Sequence, residues 1–561
     1  MNLDNPFPTK QQVSKESLLN QGIQAVSKGW LDEAEACART LGKAFPDSGR
    51  AIYLQGLIFS ARKEWSRAEQ EISKAAAILP ENADILSNLA VCRLAQGDVD
   101  HAVTALQSAL RLNPDHVDSR IHLGIACHQQ GRPEAAVKHL RQALEKAPGH
   151  KNALETLGDI LETLARRALS ISEYASAELF LAELAKIRPE DPSLLLLEGN
   201  LLLVQGRIDE AEARYTQAKR IKPDEPDIYA NLGTAAAIRL DLDGALSAFN
   251  QAISLHPEHA LSHFNRGLIL LSRGDYEQGW RDYDYRTLPD GSPAQGSWLD
   301  YTPGTIEGKR IRVRYEQGFG DNLQFCRFLP LLKEAGAEVH FQCMPELRAL
   351  MEASFDLDGF SDPASGEWDF DIPLLSLPRF FGIELKTVPN RVPYLHPPAD
   401  RLKNFSDLCA GERFRVGFSW RALNTQHTDY RRRACTLDDL APLFELPGIQ
   451  WYSLEKGADD KQLHERDPSI TNLAPRLHDF ADTAAAVAFM DLVISTDTVV
   501  AHVPGALGKP VWTLVPFSAD WRWLQNRNDS PWYPSMRLWR QPRPGDWQSL
   551  IAEMRECLKS M

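Results

Sequence analysis

Proline recurs at a fixed step through the first half of this chain. It stands at Pro46, Pro80, Pro114, Pro148, Pro189, Pro223 and Pro257, with steps of 34, 34, 34, 41, 34 and 34 residues. Two further ladders keep the same phase. One is Ala34, Ala68, Ala102, Ala136, Ala177, Ala211 and Ala245; the other is Gly22, Gly56, Ala90, Gly124, Gly158, Gly199, Gly233 and Gly267. Self-similarity at one period marks stacked repeats rather than a single core. Each rung has a physical cause. Two helices of a hairpin approach closely only where side chains are small, so the Gly and Ala rungs mark the contact between them. Proline lacks an N–H and restricts the residue before it, so it ends each second helix and begins the next unit. From a Gly rung to the next Ala rung the gap is 12 residues, except for 19 between Gly158 and Ala177. The difference places a seven-residue insertion between the two helices of that repeat.

A helical hairpin repeated every 34 residues resembles the tetratricopeptide repeat (TPR). Three ladders agreeing over about 250 residues make an all-α TPR solenoid the expected fold of residues 17–286. This superhelix holds about seven repeats and a capping unit, behind a tail at 1–16. The first helices of such an array line a concave face that binds extended peptides. Two residues before the Gly rungs stand Asn20, Asn88, Asn231 and Asn265, with interruptions at Leu54, His122, Thr156 and Leu197. An asparagine amide both donates to and accepts from a peptide backbone, which makes Asn88, Asn231 and Asn265 candidate acceptor-binding residues. The other reading is a solvated polar helix face. The final unit, GDYEQGWRDYDYR, crowds in aromatics, and Trp280, Tyr283 and Tyr285 are expected to cap the array and dock it on the next domain.

Residues 287–308 are rich in Pro, Gly and Ser and read as a linker or irregular docking segment. Beyond them short apolar runs alternate with helical stretches. The runs are RIRVRYE, AEVHFQC, FRVGFSW, IQWYSLE, DLVIST and PVWTLVP. Such alternation predicts α/β structure with mostly parallel sheets covered on both faces. Two Rossmann-like units are expected, at 309–400 and 401–561, with a cleft at the carboxyl ends of their strands.

Two motifs flank that cleft. Gly318-Phe319-Gly320-Asp321 follows the first strand and opens a helix. Gly318 and Gly320 let the backbone approach a ligand, and Asp321 is placed to take a proton from an acceptor hydroxyl. Its plainer reading is a helix N-cap. The second motif is Ser495-Thr496-Asp497-Thr498-Val499-Val500-Ala501-His502. Thr496 or Asp497 can cap the helix it starts, and the first-turn N–H groups with Thr498 can hold a diphosphate. His502 lies one turn after Thr498 on the same face and can donate to phosphate or sugar; a buried, hydrogen-bonded core histidine is the commoner arrangement.

This pair of motifs, the second followed by Pro-Gly-Ala-Leu-Gly-Lys-Pro, resembles the ADP-heptose glycosyltransferase family. The resemblance implies a GT-B fold of two Rossmann domains, with Asp321 as the catalytic base and Asp497, Thr498 and Val499 at the loop that holds the donor phosphate. Val499 replaces the glycine usual in that family. The order, repeats first and this domain second, resembles bacterial TPR glycosyltransferases and shares its architecture with the O-linked N-acetylglucosamine transferases; some TPR-bearing relatives glycosylate flagellin. Trp420, Arg421 and Lys456 stand after strands where that group binds its donor, and the two cations can neutralise phosphate. The polar loop NTQHTDYRRR adds His427, Asp429 and Arg431 as candidates to enter the cleft. The cluster Asp520-Trp521-Arg522-Trp523 with Ser530-Pro531-Trp532-Tyr533-Pro534 reads mostly as packing.

The expected activity is metal-independent transfer of a sugar from a nucleotide donor to a hydroxyl of a protein held by the repeats, flagellin being a candidate acceptor by resemblance. No cofactor is expected; the nucleotide sugar is a substrate. Two alternatives stay open: a non-catalytic TPR adaptor with a vestigial or sensing GT-B domain, and a transferase for a lipid or polysaccharide acceptor. The nearest metal-binding pattern, Asp369-x-Asp371, opens a strand in the wrong half. A formal charge of −14 argues against a general nucleic-acid binder. Eight cysteines without a Cys-x-x-Cys pair fit a reducing compartment. No apolar run is long enough for a membrane span, the opening segment lacks a signal's apolar stretch, and a cytoplasmic protein is expected.

Overall fold

The computed structural model describes residues 15–360, 367–420 and 435–561. The chain divides into two units, Met1–Pro223 and Asp224–Met561.

The first unit is built of helical hairpins, from Lys15–Ser27 with Leu31–Ala44 to Pro192–Val204 with Ile208–Ile221. The alanines of its ladder, from Ala34 to Ala211, have no exposed surface. The glycine rungs are sites of entry for side chains from the paired helix. A Cβ added at Gly199 would stand 2.3 Å from the Tyr215 ring, and one at Gly56 would stand 2.5 Å from Ile72. The seven extra residues do not form a connection between helices. They lengthen the first helix of their repeat to Lys151–Ser170, 20 residues against 13 in the preceding one. Seven residues are close to two turns, so Leu157, Ile160, Leu161, Leu164 and Ala168 stay buried on one face.

The second unit begins with two more hairpins, Pro226–Ile238 with Leu242–Leu255 and Ala260–Arg273 with Tyr276–Tyr283. The last one shares a continuous core with the α/β part. Trp280 meets Trp521 edge-to-face at 5.3 Å between centroids and Phe325 at 6.1 Å. Tyr285 departs from the expected docking role: it stacks on His263 at 3.9 Å, inside its own hairpin. A charged network joins the same parts. Arg286 donates to Glu316 at 2.6 and 2.8 Å and to Asp284 at 2.7 Å, and Ser376 donates to Asp284 at 2.6 Å. Residues 287–308 pack as an ordered segment, with Trp298 buried and its indole N–H donating to the Ala294 carbonyl.

Two parallel sheets come next. The first contains β1 (Arg310–Arg314), β2 (Glu338–Gln342) and β3 (Phe370–Pro373) in the order β2-β1-β3. The second contains β4 (Phe414–Ser419), β5 (Ile449–Ser453), β6 (Thr471–Asn472), β7 (Leu492–Thr496), β8 (Val511–Val515) and β9 (Met536–Arg540), in the order β6-β5-β4-β7-β8-β9. This is the doubly wound order, and it reverses between β4 and β7. β7 and β8 are buried on both faces. The first sheet differs from the expectation of two covered faces. In β1 only Ile311 and Val313 are fully buried, while Arg310 pairs with Glu338 and Arg312 with Asp371 on the other face. Cross-strand ion pairs thus replace a covering layer there. The Asp369-x-Asp371 pair is consumed the same way, Asp369 binding Lys309 at 2.9 Å. Among the described residues no helix is long and apolar enough to cross a membrane.

Candidate functional site

In a doubly wound sheet, ligands bind outside the carboxyl ends of the strands where the order reverses. In the second sheet that point lies between β4 and β7, where Ser419 stands opposite Ser495. The segment Ser495–Thr498 leaves β7 there. In the first sheet β1 is flanked on both sides, and its carboxyl end runs into Gly318–Asp321. The structure brings the two motifs into contact. A Cβ at Gly320 would lie 2.9 Å from His502 Cδ2, 3.2 Å from Nε2 and 3.6 Å from the Val499 Cα. The glycine is therefore needed for the helix Phe319–Phe325 to meet the helix Val499–Ala506, whatever a ligand requires.

Asp321 sits in the first turn of its helix, and its Oδ2 accepts the Gly318 N–H at 2.9 Å. Its Oδ1 pairs with Arg522, and Arg522 in turn donates Nη1 to Asp520 at 2.9 Å. Burial pushes the Asp321 carboxyl above its ordinary range, with the Arg522 guanidinium opposing. A carboxylate made more basic in this way suits proton abstraction. Burial works against the charge on Arg522, but Asp321 and Asp520 outweigh it and hold the guanidinium protonated. Three non-glycine residues with left-handed backbone cluster near the pair: Gln317 at φ 58°, Leu524 at φ 55° and Asn526 at φ 53°. Strain of this kind gathers where a local geometry is held by its surroundings.

His502 is buried, and its Nδ1 lies 2.9 Å from the Tyr533 hydroxyl. Burial, with Arg522 and Arg327 nearby, depresses its pKa to about 3. The imidazole is therefore neutral at ordinary pH and serves as a hydrogen-bond donor or acceptor rather than as a charged acid. The unfolded ring takes a proton near 6.5, the folded one only near 3. The stability from keeping it neutral is complete above the higher value and is lost as pH falls through the window. Thermal melts from about pH 7 to about pH 5 should show a smaller loss of Tm in His502→Gln than in the wild type.

The remaining candidates fall in different places. The helix after β7 takes Thr498 as its N-cap residue, not Asp497 or Thr496, and the Thr498 side chain makes no cap bond. Its hydroxyl lies 3.3 Å from that of Ser495. Asp497 is buried, and Val499 is half-buried against the core. Trp420 is buried, 3% exposed, and stacks on Phe418 at 5.6 Å. Lys456 is exposed after β5 and donates to the His478 carbonyl at 3.2 Å. Arg421, His427, Asp429 and Arg431 lie outside the described residues. In the first unit, Asn88 is already bonded, donating to the Tyr53 hydroxyl at 2.7 Å and the Asp84 carbonyl at 2.9 Å. In the second, Asn231 is half-buried and Asn265 reaches the Thr234 hydroxyl at 3.4 Å.

Sequence reasoning missed Arg522 as the partner of Asp321, Tyr533 as the partner of His502, and Glu455. Glu455 is buried and accepts from the Ser419 hydroxyl at 2.7 Å. The signal for the first two was the polar residue placed inside each tryptophan-rich run.

Comparison with known proteins fits the first half of this layout. Tetratricopeptide repeat families match residues 19–83, 87–151 and 231–292, and 169–234. Protein FlbA of Caulobacter vibrioides is 24% identical over 332 residues, covering 54% of this chain and 55% of that protein. The chain thus spans about half the length of the curated relative it matches. Solved structures that match part of this chain include PilF of Pseudomonas aeruginosa, 21% identical, TM-score 0.31, covering 38% of this chain and 94% of that one. Another is YrrB, a TPR protein with an unusual peptide-binding site, 21% identical, TM-score 0.29, covering 34% of this chain and 95% of that one.

Proposed function

We propose that this chain, a TPR array followed by an α/β domain with two parallel sheets, is a glycosyltransferase of the GT-B kind. It moves a sugar from a nucleotide donor to a hydroxyl of a protein recruited by the repeats; flagellin is the acceptor suggested by resemblance. The observation that carries the reading is the meeting of the two strand-end motifs, Gly318–Asp321 and Ser495–His502, at Gly320 and His502. The acceptor oxygen attacks the anomeric carbon, the bond from that carbon to the phosphate oxygen breaks, and the acceptor proton passes to Asp321. The leaving diphosphate takes the electron pair, and its charge is met by the first turn of the helix Val499–Ala506 and by Lys456 and Arg421. His502 donates a neutral hydrogen bond to the donor.

Thermal melting of the full chain with ADP, UDP, GDP, CDP or CMP tests the donor site. A ligand at about 100 times its Kd stabilises the fold by roughly 2.7 kcal/mol. One nucleotide should raise the Tm in the wild type and not in Thr498→Ala. No rise with any of them would favour the adaptor reading.

A further inference from the structure

A cavity of about 690 Å³ lies within the second unit, away from the β4–β7 switch point. One wall comes from its helical hairpins, where Ile238, Leu268 and Ile269 form an apolar part beside Thr234, Asn265 and Ser272. The other wall comes from the carboxyl ends of β8 and β9, with Trp521, Arg540 and Gln541. Asp520, which holds Arg522 against Asp321, also lines it.

The polar groups of the β9 wall are out of balance. Gln541 is 5% exposed, and its Oε1 accepts from the N–H groups of Phe517 at 3.2 Å and Gly545 at 3.3 Å. These bonds fix the amide, and its buried Nε2 has no hydrogen-bond partner among the described residues. Arg540 donates to carbonyls, those of Arg527, Trp523 and Leu524. Burial and the nearby Arg527 act together against its charge, and no carboxylate among the described residues supports it. A half-buried cation beside an unpaired donor is unfavourable until an anionic acceptor arrives. The apolar part of the wall opposite favours a ligand that brings hydrocarbon with its charge.

We propose that this cavity seats an acidic segment of the acceptor polypeptide, its carboxylate on Arg540 and Gln541 and an apolar neighbour on the Ile238–Leu268–Ile269 wall. The cavity then selects which hydroxyls reach Asp321. The inference rests on the protein-acceptor reading above. It extends the role of the repeats from capture along the array to selection at the edge of the site.

Fluorescence anisotropy of the full chain, without nucleotide, tests it with two labelled peptides. Each has one serine flanked by leucines and by either aspartates or asparagines. The aspartate peptide should bind about tenfold tighter, as a charge-assisted contact requires. Arg540→Gln should remove the preference, and Ile238→Glu, on the opposite wall, should weaken the aspartate peptide selectively. Equal affinity for the two peptides would overturn the proposal, as would a preference that survives in both variants. Should Arg540→Gln fail to melt cooperatively, Ile238→Glu decides alone. Because no donor is present, the two readings separate. Acid preference without sugar transfer keeps the cavity assignment and removes the transferase, while transfer without preference does the reverse.

Discussion

Asp321→Asn is expected to abolish sugar transfer while the protein keeps a cooperative melting transition. The asparagine amide oxygen can still accept the Gly318 N–H that Asp321 accepts at 2.9 Å. Arg522 keeps Asp520 as a charged partner at 2.9 Å, so its guanidinium is not left without a carboxylate. The variant loses the proton acceptor and, with it, the ion pair between Asp321 and Arg522. Removing a positioned general base lowers rates by about 10²- to 10⁴-fold. In a single-turnover assay with saturating donor the fall should appear in the rate constant of the transfer step, with donor affinity little changed. An Asn variant that transfers at the wild-type rate would remove Asp321 from the chemistry.

The largest loss of stability is expected from Arg286→Ala. The Arg286 side chain is 3% exposed, Asp284 1% and Glu316 2%. Arg286 bonds both carboxylates, and Glu316 also accepts the Leu375 N–H at 2.9 Å. Among the described residues, truncation leaves Glu316 without a cation and Asp284 with the Arg379 guanidinium at 3.2 Å as its remaining cation. Breaking a buried pair on one side costs about 3–5 kcal/mol, because the remaining charge stays out of water. Urea unfolding should therefore show a much lower midpoint for Arg286→Ala. The double variant Arg286→Met with Glu316→Leu should recover part of the loss, since it removes the stranded charge as well. Equal midpoints for wild type and Arg286→Ala would mean the network contributes packing alone.

The fold is legible in the sequence to different depths along the chain. The repeats are readable because each rung answers a contact repeated at every hairpin, as Tyr215 over Gly199 illustrates. The insertion is placed wrongly by spacing because a spacing alone does not separate a longer loop from two more helical turns; the apolar period through Leu157, Leu161, Leu164 and Ala168 does. The strands buried on both faces, β7 and β8, stand out as apolar runs. β9 does not, because arginines at Arg537 and Arg540 break its run, and β6 is only two residues long.

At the site, Asp321 and His502 are visible through local motifs. Their partners are not, because Arg522 and Asp321 are 201 residues apart and meet only through the folded chain. Trp420 shows the opposite case. A tryptophan at a strand end fits ligand stacking and core packing equally in sequence, and only its burial separates them.

Mass spectrometry of a candidate acceptor polypeptide, incubated with the full chain and the nucleotide sugar selected by thermal melting, tests the central claim most directly. Transfer predicts one glycosyl mass added to a serine or threonine, with an equal amount of the donor's nucleotide set free and neither product with Asp321→Asn. Binding of polypeptide and nucleotide with no added mass, or the same added mass with Asp321→Asn, would contradict it.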